Sequence, residues 1–179
     1  VISAAIGGVH PKTVSRGLAY AMGTMLAQYH AVVRSLPVVH TGWLNRNTVA
    51  QAAAETKTSA VKEAALALIA RGKPLFESDV PQGIIHGDFH IGNLLVTSRT
   101  SAKIAAMLDF EEAEENLLLI DIAFGLFGSH SLTYTARRTH PVLHAFLDGY
   151  ESVRLLEPQE KSNLAAAVCY VAGACSLWM

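Results

Sequence analysis

Apolar residues recur at Val14, Leu18, Ala21, Met22, Met25, Leu26 and Tyr29, close to a period of 3.6, which predicts a helix over 11–33. Thr13 or Ser15 supplies its cap. Pro37 ends the region, and 41–47 reads as a loop. A second helix is expected over 50–70, which is rich in Ala, Glu, Lys and Leu, and Arg71, Gly72, Lys73 and Pro74 stop it. Residues 75–82 form a connector. The period then changes. Ile84 and Ile85 open a short β-type run, a loop covers 86–92, and Leu94, Leu95 and Val96 read as a strand. A polar turn over 97–103 and a return strand over 104–108 complete a β-hairpin. The next segment, 109–116, is acidic with four glutamates, and 117–127 is apolar with Asp121 set inside it. Two more helices are expected over 141–154 and 158–178, with Pro158 near the first turn of the last. The pattern predicts an α+β fold, mainly helical, in a single domain over 1–179.

The hairpin carries the chemistry. Its leading loop reads His86-Gly87-Asp88-Phe89-His90-Ile91-Gly92-Asn93, and its return strand ends in Met107-Leu108-Asp109-Phe110. Asp88 precedes Asn93 by five residues, and Asp109 stands where the hairpin can bring it back beside the loop. Taken alone, an Asp and an Asn in a loop are turn formers. Together with a carboxylate at a strand end, they form the set that phosphoryl transfer needs. The transferred group carries dense negative charge, so Mg2+ must be held against it. That ion takes hard oxygen ligands and only one or two carboxylates from a protein. Asn93 and Asp109 can supply those oxygens, while Asp88 can aim an attacking hydroxyl and accept its proton.

These residues resemble the His-x-Asp-x-x-x-x-Asn loop of the aminoglycoside phosphotransferase and choline kinase superfamily, the small-molecule relatives of protein kinases. The family loop commonly reads His-Gly-Asp-Leu-His-x-Gly-Asn, and Phe89 stands here for Leu. Leu108-Asp109-Phe110 is similar to the family's Ile-Asp-Phe, and Asp121-Ile122-Ala123 to its Asp-Leu-Ala triplet. The resemblance implies the C-terminal lobe of a protein-kinase-like fold, with Mg2+ as cofactor and ATP as co-substrate. It implies Asp88 as catalytic base, Asn93 and Asp109 as Mg2+ ligands, and loop support from His86 and, on a helix, from Asp121. The family's N-terminal nucleotide-binding lobe, with its phosphate lid and strand lysine, has no counterpart in this sequence. Both ends read as cut, so the chain is expected to be part of a longer protein and inactive alone.

The acceptor is less constrained. Two segments, 22–30 and 146–154 with its continuation to Glu160, are similar to homoserine kinases of the superfamily, which makes homoserine the leading acceptor. Gly87, where those enzymes usually have Ala, and Glu111 and Glu112, where they tend to carry aromatics, depart from that pattern. An acidic rim suits an amino alcohol or amino sugar equally, so an aminoglycoside- or choline-type kinase is the alternative. A non-catalytic, kinase-like binding module is the rival from another class.

Composition narrows the surroundings. The net charge is −1 and Arg137-Arg138 is the tightest basic pair, so no nucleic-acid footprint is expected. No run of about 18 uninterrupted apolar residues predicts a membrane span. Cys169 and Cys175 lie six apart in an apolar stretch, which reads as two small core residues, and His90 has no partner at zinc-ligand spacing. Two cysteines with no disulfide framework fit a reducing, cytoplasmic location. The expected partners are a nucleotide and a small hydroxylated acceptor.

Overall fold

The computed structural model describes residues 6–33, 36, 42–57, 59–128 and 141–178. Six helices lie among them: α1 (Arg16–Val33), α2 (Arg46–Glu55), α3 (Ala60–Gly72), α4 (Leu118–Gly128), α5 (Pro141–Glu151) and α6 (Pro158–Trp178). Four short strands, β1 (Gln82–Ile85), β2 (Leu94–Val96), β3 (Ile104–Met107) and β4 (Glu114–Leu117), accompany them. The described residues are mainly helical, as the periodicity predicts. Pro37 and the Arg137-Arg138 pair lie outside the described residues.

The first helix begins at Arg16, later than expected, because Ser15 is its cap. The Ser15 hydroxyl accepts from the Leu18 amide at 3.1 Å. The helix expected over 50–70 is two helices. The Thr56 hydroxyl donates back to Ala52 O at 2.7 Å and closes α2, and Ser59 caps α3 by accepting from the Lys62 amide at 3.2 Å. Side-chain hydrogen bonds of Thr and Ser thus compete with the helical ladder at that point. The connector opens as a 3₁₀ turn over Lys73–Glu77.

β2 and β3 pair antiparallel as the predicted hairpin, Leu94 opposite Met107. Val9 adds a bridge to the outer edge of β2, exchanging two hydrogen bonds with Val96 at 3.0 and 2.9 Å. The acidic segment hides a strand the sequence pattern did not reveal: Glu114–Leu117 pairs antiparallel with β1, Ile85 opposite Glu114 and Gln82 opposite Leu117. This second ribbon carries the start of α4 across from β1.

Helix α1 packs on α5, and α3 and α4 pack on α6. The α1–α5 crossing is close because glycines face it. A Cβ on Gly23 would stand 2.0 Å from Phe146 O, and one on Gly149 would stand 2.0 Å from Tyr20 O. The core gathers Leu18, Met22, Leu26, Phe89, Ile120, Phe146, Tyr150 and Tyr170, all at most 2% exposed. Helix α4 is apolar on every side, so it runs through this core and buries Asp121 within it. No described helix is long and apolar enough to cross a membrane.

Candidate functional site

The loop between β1 and β2 begins at His86, whose ring is buried. His86 Nε2 lies 2.9 Å from Leu108 O and donates to it, while Nδ1 accepts from the Asp88 amide at 3.3 Å. The ring therefore ties the loop to the end of the return strand. Gly87 follows with φ 78°, a backbone conformation that costs glycine nothing. A Cβ there would also stand 2.2 Å from Glu112 O, so no larger residue fits. The Trp43 indole donates to Gly87 O at 3.1 Å from outside.

Asp88 and Asn93 meet. The Asn93 Nδ2 donates to Asp88 Oδ2 at 2.8 Å and to Asp88 O at 2.9 Å. This commits the amide nitrogen and leaves Oδ1 as the donor atom that a hard cation would use. His90 stands on the other side. Its Nδ1 accepts from the Gly92 amide at 3.0 Å, and its Nε2 lies 3.4 Å from Asp88 Oδ2. The Asp88 side chain remains 30% exposed, so its carboxylate is held but reachable.

Asp109 is exposed and has φ 64°, a left-handed conformation uncommon outside glycine. Its place follows from its neighbours. The Leu108 amide donates to Asn93 O at 2.9 Å, and Leu108 O accepts from His86. Both sides of Leu108 are thus pinned to the loop, which sets Asp109 beside it. Phe110 then lays its ring near that of His86, 4.9 Å between centroids. Asn93 and Asp109 offer an amide oxygen and a carboxylate, donors that suit Mg2+. Among the described residues no group of three or more His, Cys, Asp and Glu side chains could hold a metal ion.

Asp121 is fully buried in α4 and reaches the loop backbone. Its Oδ2 accepts from the His86 amide at 2.8 Å, and its Oδ1 from the Gly87 amide at 3.2 Å. His30 Nε2 meets Oδ2 from α1 at 2.9 Å. The glutamates divide. Glu111 and Glu112 line an open depression of about 300 Å³ together with Asp88 and Trp43. Glu114 is buried, accepting from the Gly42 amide at 2.8 Å and from Asn116 Nδ2 at 2.9 Å, and Glu115 is exposed. The acidic run thus divides its roles, and one of its carboxylates holds the loop that presents Trp43.

The reading of the residues missed Trp43 and assigned no role to His30, Tyr150, Arg154 and Glu160. His30 lies four residues after Leu26, on the stripe that α1 buries, and a polar residue at such a position signals a buried partner. The two cysteines are free thiols, each half-buried on α6. Burial pushes the Cys175 thiol up to about 12, and the negative charge of Asp88 adds to the shift.

Comparison with known proteins identifies the family and the fold. A homoserine kinase from Afipia carboxidovorans is 28% identical over 168 residues, covering 88% of this chain and 49% of that protein. The chain thus spans about half the length of that curated relative. Among solved structures, an amicoumacin kinase in complex with AMP-PNP, Ca2+ and Ami matches with a TM-score of 0.70 at 17% identity, covering 98% of this chain and 54% of its own. A microcompartment-associated aminopropanol kinase matches with a TM-score of 0.64 at 19% identity, covering 96% and 64%. At these identities the two structures establish the shared fold. The family model described as "Phosphotransferase enzyme family" matches residues 4–158, and the chain belongs to that family.

Proposed function

We propose that the chain is the catalytic lobe of an ATP-dependent kinase that moves the γ-phosphoryl group onto the hydroxyl of a small molecule. The observation that carries this reading is the tie between Asp88 and Asn93 on a loop whose far side is pinned around Leu108, next to Asp109. In this reading Asp88 orients the acceptor hydroxyl and takes its proton. Its exposure leaves room for the acceptor, and the Asn93 and His90 contacts hold the carboxylate in place. Asn93 Oδ1 and the Asp109 carboxylate are the atoms that would hold Mg2+, which when bound neutralises charge on the phosphates. His86 and Asp121 touch no reactant and keep the loop in shape.

Homoserine is the leading acceptor, supported by the similarity to the Afipia enzyme. A second reading, an amino alcohol or amino sugar, is favoured by Glu111 and Glu112 in the depression beside Asp88, where they suit an ammonium group. The test is acceptor-dependent ADP release by the chain with its native flanking sequence, offered homoserine, choline or an aminoglycoside. Release with homoserine alone supports both class and acceptor. Release with another acceptor keeps the kinase and removes homoserine. Silence with all three, while nucleotide still binds, favours an acceptor outside this set or the binding module. Glu111→Gln is expected to raise KM severalfold for an amine-bearing acceptor without changing kcat, and an unchanged KM removes Glu111 from the acceptor site.

A further inference from the structure

The segments 22–30 and 146–154 are far apart in sequence, yet they face each other across the α1–α5 contact, and a buried polar chain joins them to the loop. At its far end the Arg154 guanidinium grips the buried Glu160 carboxylate with two hydrogen bonds, at 3.0 and 2.9 Å. Arg154 Nη1 also lies 3.3 Å from Tyr150 Oη. Tyr150 Oη is 2.8 Å from His30 Nδ1, and His30 Nε2 is 2.9 Å from Asp121 Oδ2.

For a neutral His30 ring the direction of every bond follows from the chemistry of the groups. A guanidinium only donates, so Tyr150 Oη accepts from Arg154. With a neutral His30 ring, whose proton the Asp121 carboxylate holds on Nε2, the single tyrosine proton goes to Nδ1. A neutral ring with an unprotonated Nδ1 carries its proton on Nε2, and that proton is donated to Asp121. Asp121 is left with its remaining acceptor capacity on the His86 and Gly87 amides. The Asp121 carboxylate keeps the ring proton on Nε2, and the Tyr150 hydroxyl holds the opposite ring nitrogen, so the two together fix the orientation of the imidazole. Without the hydroxyl the ring is held on one side only and can swing its Nε2–H away from Asp121 Oδ2.

We propose that Tyr150 is a positioning residue for the loop that bears Asp88, acting through the orientation of the His30 ring and the carboxylate of Asp121. The proposal rests on the kinase reading above for its catalytic consequence, but not for its structural one. Arg154 and Glu160 hold the tyrosine hydroxyl in the accepting orientation, so the first turn of α6 takes part in shaping a loop it does not touch.

The test combines two measurements on the chain with its native flanking sequence: amide hydrogen exchange at His86 and Gly87, and steady-state kinetics. In Tyr150→Phe, exchange at these two amides is expected to rise about tenfold relative to amides of α3, as a locally loosened segment does. The kcat is expected to fall about tenfold through misplacement of Asp88, with KM for nucleotide and acceptor unchanged. His30→Gln offers an N–H toward Asp121 that does not depend on Tyr150. In that background Tyr150→Phe should change neither quantity. An equal effect in both backgrounds, or unchanged exchange at His86 and Gly87, overturns the proposal. Arg154→Gln leaves the tyrosine ring in place but frees its hydroxyl to turn. It should move the same two amides in the same direction if Tyr150→Phe fails to fold, and no change there overturns the proposal equally. Asp88→Asn separates the two ideas. If it keeps full activity while Tyr150→Phe loosens the loop, the brace stands and the catalytic reading of Asp88 falls.

Discussion

Replacing Asp121 with Asn keeps the shape of the side chain and exchanges one acceptor oxygen for a donor. The carboxylate takes three donors, His30 Nε2 and the His86 amide on Oδ2 and the Gly87 amide on Oδ1. If the new NH2 group takes the Oδ2 position, two of the three bonds are lost. If it takes the Oδ1 position, only the Gly87 bond is lost, so the variant adopts this arrangement. A buried hydrogen bond to a charged group is worth about 1.5–3 kcal/mol, and the Gly87 amide is left facing another donor. The two surviving bonds become neutral ones, roughly half as strong. Removing the buried charge relieves part of its desolvation cost, which offsets some of the loss. The net destabilisation expected for Asp121→Asn is therefore about 2–4 kcal/mol. At about 2–4 °C per kcal/mol for a domain of this size, Tm should fall by roughly 4–16 °C. Scanning calorimetry reads this directly, with Asp88→Asn as the control. A Tm within about 2 °C of the unmodified protein would refute the account of Asp121 as the acceptor that holds the loop backbone.

Asp88→Asn should lower turnover by about 10²–10⁴-fold with thermal unfolding unchanged, since the side chain is part-exposed in a loop; a large loss of stability would make Asp88 a structural residue. Gly23→Ala should cost about 3 kcal/mol or more in denaturant unfolding, because its Cβ would stand 2.0 Å from Phe146 O and 2.7 Å from the Tyr150 amide. A cost below about 1 kcal/mol would mean that α1 and α5 separate easily. With its thiol pushed up to about 12, Cys175 should be almost wholly protonated at pH 8 and react with iodoacetamide far more slowly than in the urea-unfolded chain. Equal rates would show that the α6 packing around it opens readily.

Local rules made much of the molecule legible. The spacing of apolar residues marked α1, α5 and α6, because helix periodicity is imposed by the element itself. The hairpin and the loop 86–93 were readable for the same reason: Asp88 and Asn93 lie five residues apart, so one loop conformation suffices to join them. Asp109 followed, since a hairpin returns its last residue to the start of its first strand. Where local signals compete, the reading erred. Thr56 and Ser59 broke a run of good helix formers, and β4 was masked by its glutamates, because pairing with β1 is a choice of partner rather than of residue type.

The part of the loop's support that reaches back to α1 and α5 belongs to tertiary structure alone. Asp121 is 35 residues from His86, His30 is 91 from Asp121, and Tyr150 is 120 from His30. Each of these polar side chains would be costly if buried unpaired, so each implies a partner; the family resemblance names the loop for Asp121, but no distance in the sequence names a partner for His30 or Tyr150. The partners are chosen where α1, α4 and α5 meet, at an approach that Gly23 and Gly149 permit. Burial there excludes water from competing for the same hydrogen bonds, and so the chemistry of one loop comes to depend on residues from across the chain.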